Sequence, residues 1–112
     1  MQVLIVEDEP AIADTVVYAL ESENISCKWV TTGHDALDEI HKQKPELVLL
    51  DIGLPDRNGF DLFHSIRQIC NASIVFLTSR HSEIDQVLGL ELGADDYITK
   101  PFSPRVLTAR VR

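Results

Sequence analysis

Several functional classes lack their signature in this sequence. Cysteine occurs only twice, at Cys27 and Cys70, which allows one disulfide at most; the spacing fits no zinc pattern, so both read as reduced fillers. No apolar run approaches the roughly 20 residues that span a membrane. The N-terminal MQVLIVEDE turns acidic after six residues, unlike a secretory signal. Basic residues are scarce, 10 against 18 acidic ones for a net charge of -8, so this chain lacks the footprint of a nucleic-acid binder. G-x-G-x-x-G occurs nowhere, and the histidines at 34, 41, 64 and 81 are too scattered to suggest a metal cluster. Internal repeats and low-complexity segments are also missing. These absences fit a cytoplasmic protein.

What is present is enough for one domain. The chain has 112 residues, 45% of them hydrophobic and 25% charged, the balance of a globular core with a solvated surface. Charge is uneven. Residues 1–60 hold 12 acids and 4 bases, whereas residues 61–112 hold 6 of each. Most of these acids fit solvated helix faces, but Glu7, Asp8 and Asp51 directly follow apolar runs.

Hydrophobic periodicity alternates between strand and helix. Val3–Val6 is a short β-branched run. Pro10 suits a first helical turn, with Ile12, Val16, Ala19 and Leu20 at helical spacing. Ile25–Val30 reads as a strand, with Trp29 a structural residue near its end. Thr32 and Asp35 open a second helix carried by Ala36, Leu37 and Ile40. Leu47–Leu50 is wholly apolar, as in a central parallel strand covered on both faces. Asp51–Gly59 is expected to be a loop, followed by a helix with Phe60, Phe63, Ile66 and Ile69 on its apolar face. Ser73–Leu77 is a fourth strand. Ser82 and Asp85 open a fourth helix, its apolar face Ile84, Val87 and Leu88, and Gly93 closes it. Asp96–Thr99 is a fifth strand, and Ser103 and Pro104 start a fifth helix. Five strand–helix pairs predict an α/β fold with a mostly parallel sheet.

In such sheets function gathers beyond the carboxyl ends of the strands. Those ends carry Glu7-Asp8, Asp51, Thr78-Ser79 and Thr99-Lys100-Pro101. Taken singly, each has a bland explanation: Asp8 as a helix cap, Thr78 as a strand-end hydroxyl, Lys100 as a solvated cation. Together they make a pocket of carboxylates, a hydroxyl and an ammonium. Crowded carboxylates need a cation, and hard oxygen ligands with few carboxylates favour Mg²⁺. A carboxylate beside Mg²⁺ and a lysine can accept a phosphoryl group as an acyl phosphate.

The segments Val3–Glu9, Leu50–Phe60, Phe76–Arg80 and Gly89–Phe102 together resemble the response-regulator receiver domain of two-component signalling, over essentially all 112 residues. The GADDY and KPF stretches with Arg105, Ala109, Arg110 and Val111 resemble the subfamily whose output is a winged-helix DNA-binding domain. The resemblance implies a flavodoxin-like (βα)5 doubly wound sheet of order 2-1-3-4-5. It implies that Asp51 takes a phosphoryl group from a sensor histidine kinase, with Mg²⁺ held by Asp8, Asp51 and the Gly53 carbonyl, and by Glu7 through a water. Lys100 would pair with Asp51 and then its phosphate, Thr78 would bond the phosphate, and Tyr97 would swing inward. Lys100-Pro101 would be cis. Phosphorylation would bias the face of helix four, strand five and helix five toward a two-fold homodimer, with Asp96–Arg110 and Asp95–Arg112 as cross-dimer ion pairs. DNA would be reached only through a domain expected beyond Arg112 and absent from these 112 residues.

The sequence departs from that pattern where the family pairs a basic residue in helix four with a glutamate in helix five. Here Gln86 and Val106 stand, which implies a dimer of the same geometry with a less charged contact. Gly53 replaces the bulkier residues common two positions after the acceptor; Arg80 is a candidate to reach over the phosphate instead. Three other readings compete. A phosphatase with an aspartyl nucleophile wants a second acid at position 53, where Gly stands. A nucleotide-binding module wants a phosphate-cradling loop where Glu7-Asp8-Glu9 would repel an anion. A stand-alone receiver would dock on a partner protein. The receiver reading makes the chain no enzyme beyond its own phosphorylation and dephosphorylation.

Overall fold

The computed structural model describes residues 2–79 and 83–111. Five strands and five helices alternate: β1 (Gln2–Val6), α1 (Pro10–Glu21), β2 (Ser26–Val30), α2 (Gly33–Lys42), β3 (Leu47–Leu50), α3 (Gly59–Ile69), β4 (Ser73–Thr78), α4 (Glu83–Glu91), β5 (Asp96–Thr99) and α5 (Pro104–Val111). All strand pairs are parallel and the sheet order is β2-β1-β3-β4-β5. This is the flavodoxin-like architecture.

Strand alternation divides the core in two. Val3 and Ile5 of β1, with Leu47 and Leu49 of β3, pack under Val16 and Leu20 of α1 and Leu107 and Val111 of α5. Leu4, Val6, Val48 and Leu50 face the other way, onto Ala36 and Ile40 of α2 and Leu62, Phe63 and Ile66 of α3. All four residues of β3 are buried, which accounts for its unbroken apolar run. The order reverses at β1: β2 lies on one side and β3 on the other, so α1 and α3 leave on opposite faces and open a crevice between the ends of β1 and β3.

Local signals set most boundaries. Pro10 occupies the first turn of α1, and the Thr32 hydroxyl accepts the Asp35 N–H at 3.0 Å. Gly93 ends α4 at φ +106°, where glycine is at little cost. Two expectations need correction. The loop after β3 is shorter than 51–59, because the Asn58 side chain caps α3 by accepting the Phe60 N–H at 2.7 Å and Gly59 is already helical. The apolar residues of α4 do not face the core: Ile84 is 80% exposed, and Val87, Leu88 and Leu90 are also exposed. Gly89 is the buried residue of that helix, pressed on Tyr97. Arg80, Ser82 and Arg112 lie outside the described residues.

Candidate functional site

Because every strand is parallel, the residues after each strand meet at one rim. The Asp51 N–H donates to the Val6 carbonyl at 3.1 Å, carrying the β1–β3 pairing one step past the strands. The Lys100 N–H does the same to Thr78 at 2.8 Å. Glu7, Asp51, Thr78 and Lys100 are thereby buried, the four buried polar or charged side chains among the described residues. Burying four such groups is costly unless they serve one another or a ligand.

Glu7, Asp8, Glu9 and Asp51 each bring a carboxylate oxygen within 4.8 Å of the others. Lys100 Nζ stands 2.7 Å from Glu7, 3.5 Å from Asp51 and 3.6 Å from Glu9. Lys100 thus pairs with Asp51 as expected but lies nearer Glu7. The 2.7 Å contact lacks hydrogen-bond geometry, and neither Glu7 Oε1 nor Lys100 Nζ has another hydrogen-bond partner. Burial pushes the Glu7 carboxyl up to about 7, with Asp51 adding to the rise against the pull of Lys100 and the Glu9 N–H. Burial pulls the Lys100 ammonium down, but Glu7, Asp51 and Glu9 outweigh it and raise its pKa. One ammonium facing this many carboxylates leaves the cluster short of positive charge. An all-oxygen set whose carboxylates outnumber its one ammonium fits a small hard divalent cation.

The neighbouring residues fall as follows. Thr78 is buried at the end of β4. Gly53 is exposed and its N–H approaches Asp51 Oδ1 at 3.3 Å. Tyr97 is already inward and buried, its ring centroid 5.8 Å from that of Phe76. Lys100-Pro101 is cis. Gln86 is half-buried and Val106 exposed beside β5. Within the single chain Arg110 pairs with Asp96, while Asp95 accepts the Ile74 N–H at 2.8 Å and lies 3.6 Å from Arg67.

Sequence reasoning missed two contributors. Glu9 joins the carboxylate cluster, and its position beside Glu7-Asp8 was a usable signal. Trp29 sends its indole N–H to the Glu7 main-chain oxygen at 2.6 Å, a cross-strand contact that no spacing reveals.

This rim of acids around a buried lysine, on this sheet order, is that of a phosphoacceptor signalling module. Residues 3–112 match the response regulator receiver domain family, and the chain belongs to it. Among curated proteins it is similar to the transcriptional regulatory protein CreB of Escherichia coli (strain K12), 49% identical over 111 residues, which is 98% of this chain and 48% of CreB. The chain therefore spans about half the length of that relative. Among solved structures it is similar to the BeF3-activated N-terminal receiver domain of Klebsiella pneumoniae RstA, with TM-score 0.94 and 38% identity over 100% of this chain and 96% of the other. A two-component response regulator from Clostridium difficile gives TM-score 0.95 at 28% identity, covering 99% and 92% of the two chains. The chain is thus a receiver domain of two-component signalling.

Proposed function

We propose that Asp51 accepts a phosphoryl group from the phosphohistidine of a sensor kinase. An Asp51 carboxylate oxygen attacks phosphorus, the phosphorus–nitrogen bond breaks, and the donor imidazole leaves with the electron pair and takes up a proton. Asp8, Asp51 and the Gly53 carbonyl would hold Mg²⁺, and Glu7 one of its waters. The ion would supply charge neutralisation on the transferring oxygens. Lys100, buried and 3.5 Å from Asp51, neutralises the new phosphate from the other side, and the Thr78 hydroxyl donates to it. The only reactions ascribed to the chain are this phosphorylation and its hydrolytic reversal.

Activation works through the face of α4, β5 and α5. Three new acceptor oxygens at Asp51 favour the state in which Thr78 and Lys100 turn to them and Tyr97 stays inward. In that state two copies pair about a two-fold axis, with Asp95, Asp96, Arg110 and Arg112 at the contact and Gln86 and Val106 making it less charged. DNA is controlled through a domain outside these residues, in the cytoplasm. No described helix is long and apolar enough to cross a membrane.

The observation that carries this reading is the convergence of Asp51, three further carboxylates and Lys100 at one rim. Radiolabelled acetyl phosphate with Mg²⁺ tests it: the wild type takes up acid-stable, hydroxylamine-labile label, and Asp51→Asn takes up none. Label on Asp51→Asn at the wild-type rate would refute it.

A further inference from the structure

Asp56 lies at the tip of the turn that follows β3. Its two carboxylate oxygens accept the N–H groups of Gly33 at 2.8 Å and His34 at 3.0 Å, the first two residues of α2. Those donors have no partner within their own helix, and a carboxylate there also meets the positive end of the helix dipole. Against slight burial, these N–H groups, the Asp56 N–H and Arg57 hold the carboxyl below the usual carboxylate range. A second mark of the same contact is Gly33 itself. A Cβ added there would stand 2.8 Å from Arg57 Cγ and 2.9 Å from Cδ, so α2 begins with the residue that lets the turn lie against it. Arg57 continues to the Ser65 hydroxyl of α3 at 2.9 Å.

The base of this turn carries the site. Gly53 bridges Asn58 in antiparallel fashion, and the Gly59 N–H donates to the Ile52 carbonyl at 2.8 Å. The side-chain position of Gly53 is open, since a Cβ there would meet nothing within 4 Å. Its main chain is held by the bridge to Asn58 and the contact to Asp51 Oδ1, and the turn by β3 and α3 at its two ends, by Arg57 on Ser65 and, at its tip, by Asp56 on α2.

We propose that Asp56 is a positioning residue for the cation site: by fastening the 52–58 turn to the N-terminus of α2, it holds the Gly53 carbonyl where a cation on Asp8 and Asp51 requires it. This rests on the reading that the Gly53 carbonyl is a ligand. Residues behind a metal ligand typically govern affinity by about 10–100-fold. Asp56 is exposed, so its replacement leaves the core intact.

Calorimetric titration of MgCl₂ into the full chain tests the proposal, with thermal denaturation in EDTA run on each variant. Asp56→Ala weakens Mg²⁺ by about tenfold, and Asp56→Asn, whose single amide oxygen can accept from only one of the two α2 N–H groups, falls between Asp56→Ala and wild type. Thr32→Ala removes the other cap of α2 and lowers the melting temperature but leaves Mg²⁺ affinity at the wild-type value. Wild-type affinity in Asp56→Ala overturns the proposal. A Thr32→Ala as weak as Asp56→Ala also overturns it, since general fraying of α2 would then suffice. Failure of the underlying metal reading shows separately, as a wild type that binds no Mg²⁺ or an Asp8→Asn that binds it normally.

Discussion

Lys100 Nζ stands 2.7 Å from Glu7 Oε1, nearer than to the Asp51 carboxylate at 3.5 Å. The ammonium is thus shared across the rim, and the Glu7 carboxyl still holds its proton to higher pH than an ordinary carboxylate. Burial is the main cause, lifting Glu7 from 4.5 to about 7. A carboxyl whose folded pKa lies above its unfolded value binds more protons when folded, so its contribution to stability falls as pH rises between the two values. Lys100 is also raised; its contribution is complete below the unfolded value of 10.5 and is lost only above it, outside this window. The metal-free protein should therefore lose on the order of 2–3 kcal/mol between pH 5 and pH 8. Urea denaturation in EDTA across that range measures it, and Glu7→Gln should flatten the profile. A wild type whose stability is level or rises over this interval would contradict the assignment.

Much of this site was legible because a parallel sheet turns position along the chain into position in space. Each apolar run ends where its strand ends, so Asp8, Asp51, Thr78 and Lys100 could be placed at one rim before any coordinates. Periodicity was silent on what covers an apolar face: Ile84, Val87 and Leu88 have helical spacing, yet α4 buries Gly89 instead. It was silent too on contacts between distant segments. Neither Trp29 reaching Glu7 nor Asp56 reaching α2 leaves a local trace, because each is set by how strands and turns register in three dimensions. The start of α3 was misplaced because Asn58-Gly59 has the composition of a turn; here Asn58 caps the helix, and Gly59 is small for a steric reason.

That steric reason gives a prediction. A Cβ on Gly59 would lie 2.5 Å from the Asp51 carbonyl oxygen and 2.5 Å from Ile52 Cα, backbone atoms that cannot rotate away. Gly59→Ala should cost about 1–3 kcal/mol through overpacking and slow labelling of Asp51 by shifting its main chain. Gly53→Ala meets no neighbour within 4 Å and should change stability by less than about 0.5 kcal/mol. Chemical denaturation of the two variants side by side checks the contrast; equal losses would refute it.

Trp29 offers a second test of how the acidic pair is held. Its indole N–H satisfies the main-chain oxygen of buried Glu7 at 2.6 Å. Trp29→Phe keeps most of the ring and deletes that donor. Removing one partner of a buried hydrogen bond costs about 1–3 kcal/mol, and the half-buried position puts the expectation near the lower end. Urea denaturation followed by far-UV circular dichroism reads the loss. A variant as stable as wild type would show that the bond does not constrain the end of β1.

The exposed apolar residues of α4 bear on the proposed dimer. Ile84 is 80% exposed, so Ile84→Ser should change monomer stability by less than about 0.5 kcal/mol. In a two-fold contact each residue counts twice, and burying an aliphatic side chain stabilises by about 1.5–3 kcal/mol. Ile84→Ser should thus weaken the beryllofluoride-activated dimer by at least about tenfold, equivalent to about 1.4 kcal/mol. Tyr18→Ser, at a comparably exposed residue of α1 (77%), should leave it unchanged. With Gln86 and Val106 in place of a charged pair, the salt dependence of the dissociation constant should be only that of the remaining Asp95, Asp96, Arg110 and Arg112 charges, because screening acts on charges rather than buried apolar area. Sedimentation velocity of the three proteins at low and high ionic strength reads both effects. A beryllofluoride-treated wild type that stays monomeric at high concentration would refute the dimer, and an Ile84→Ser dimer as tight as wild type would place the activated contact on another face.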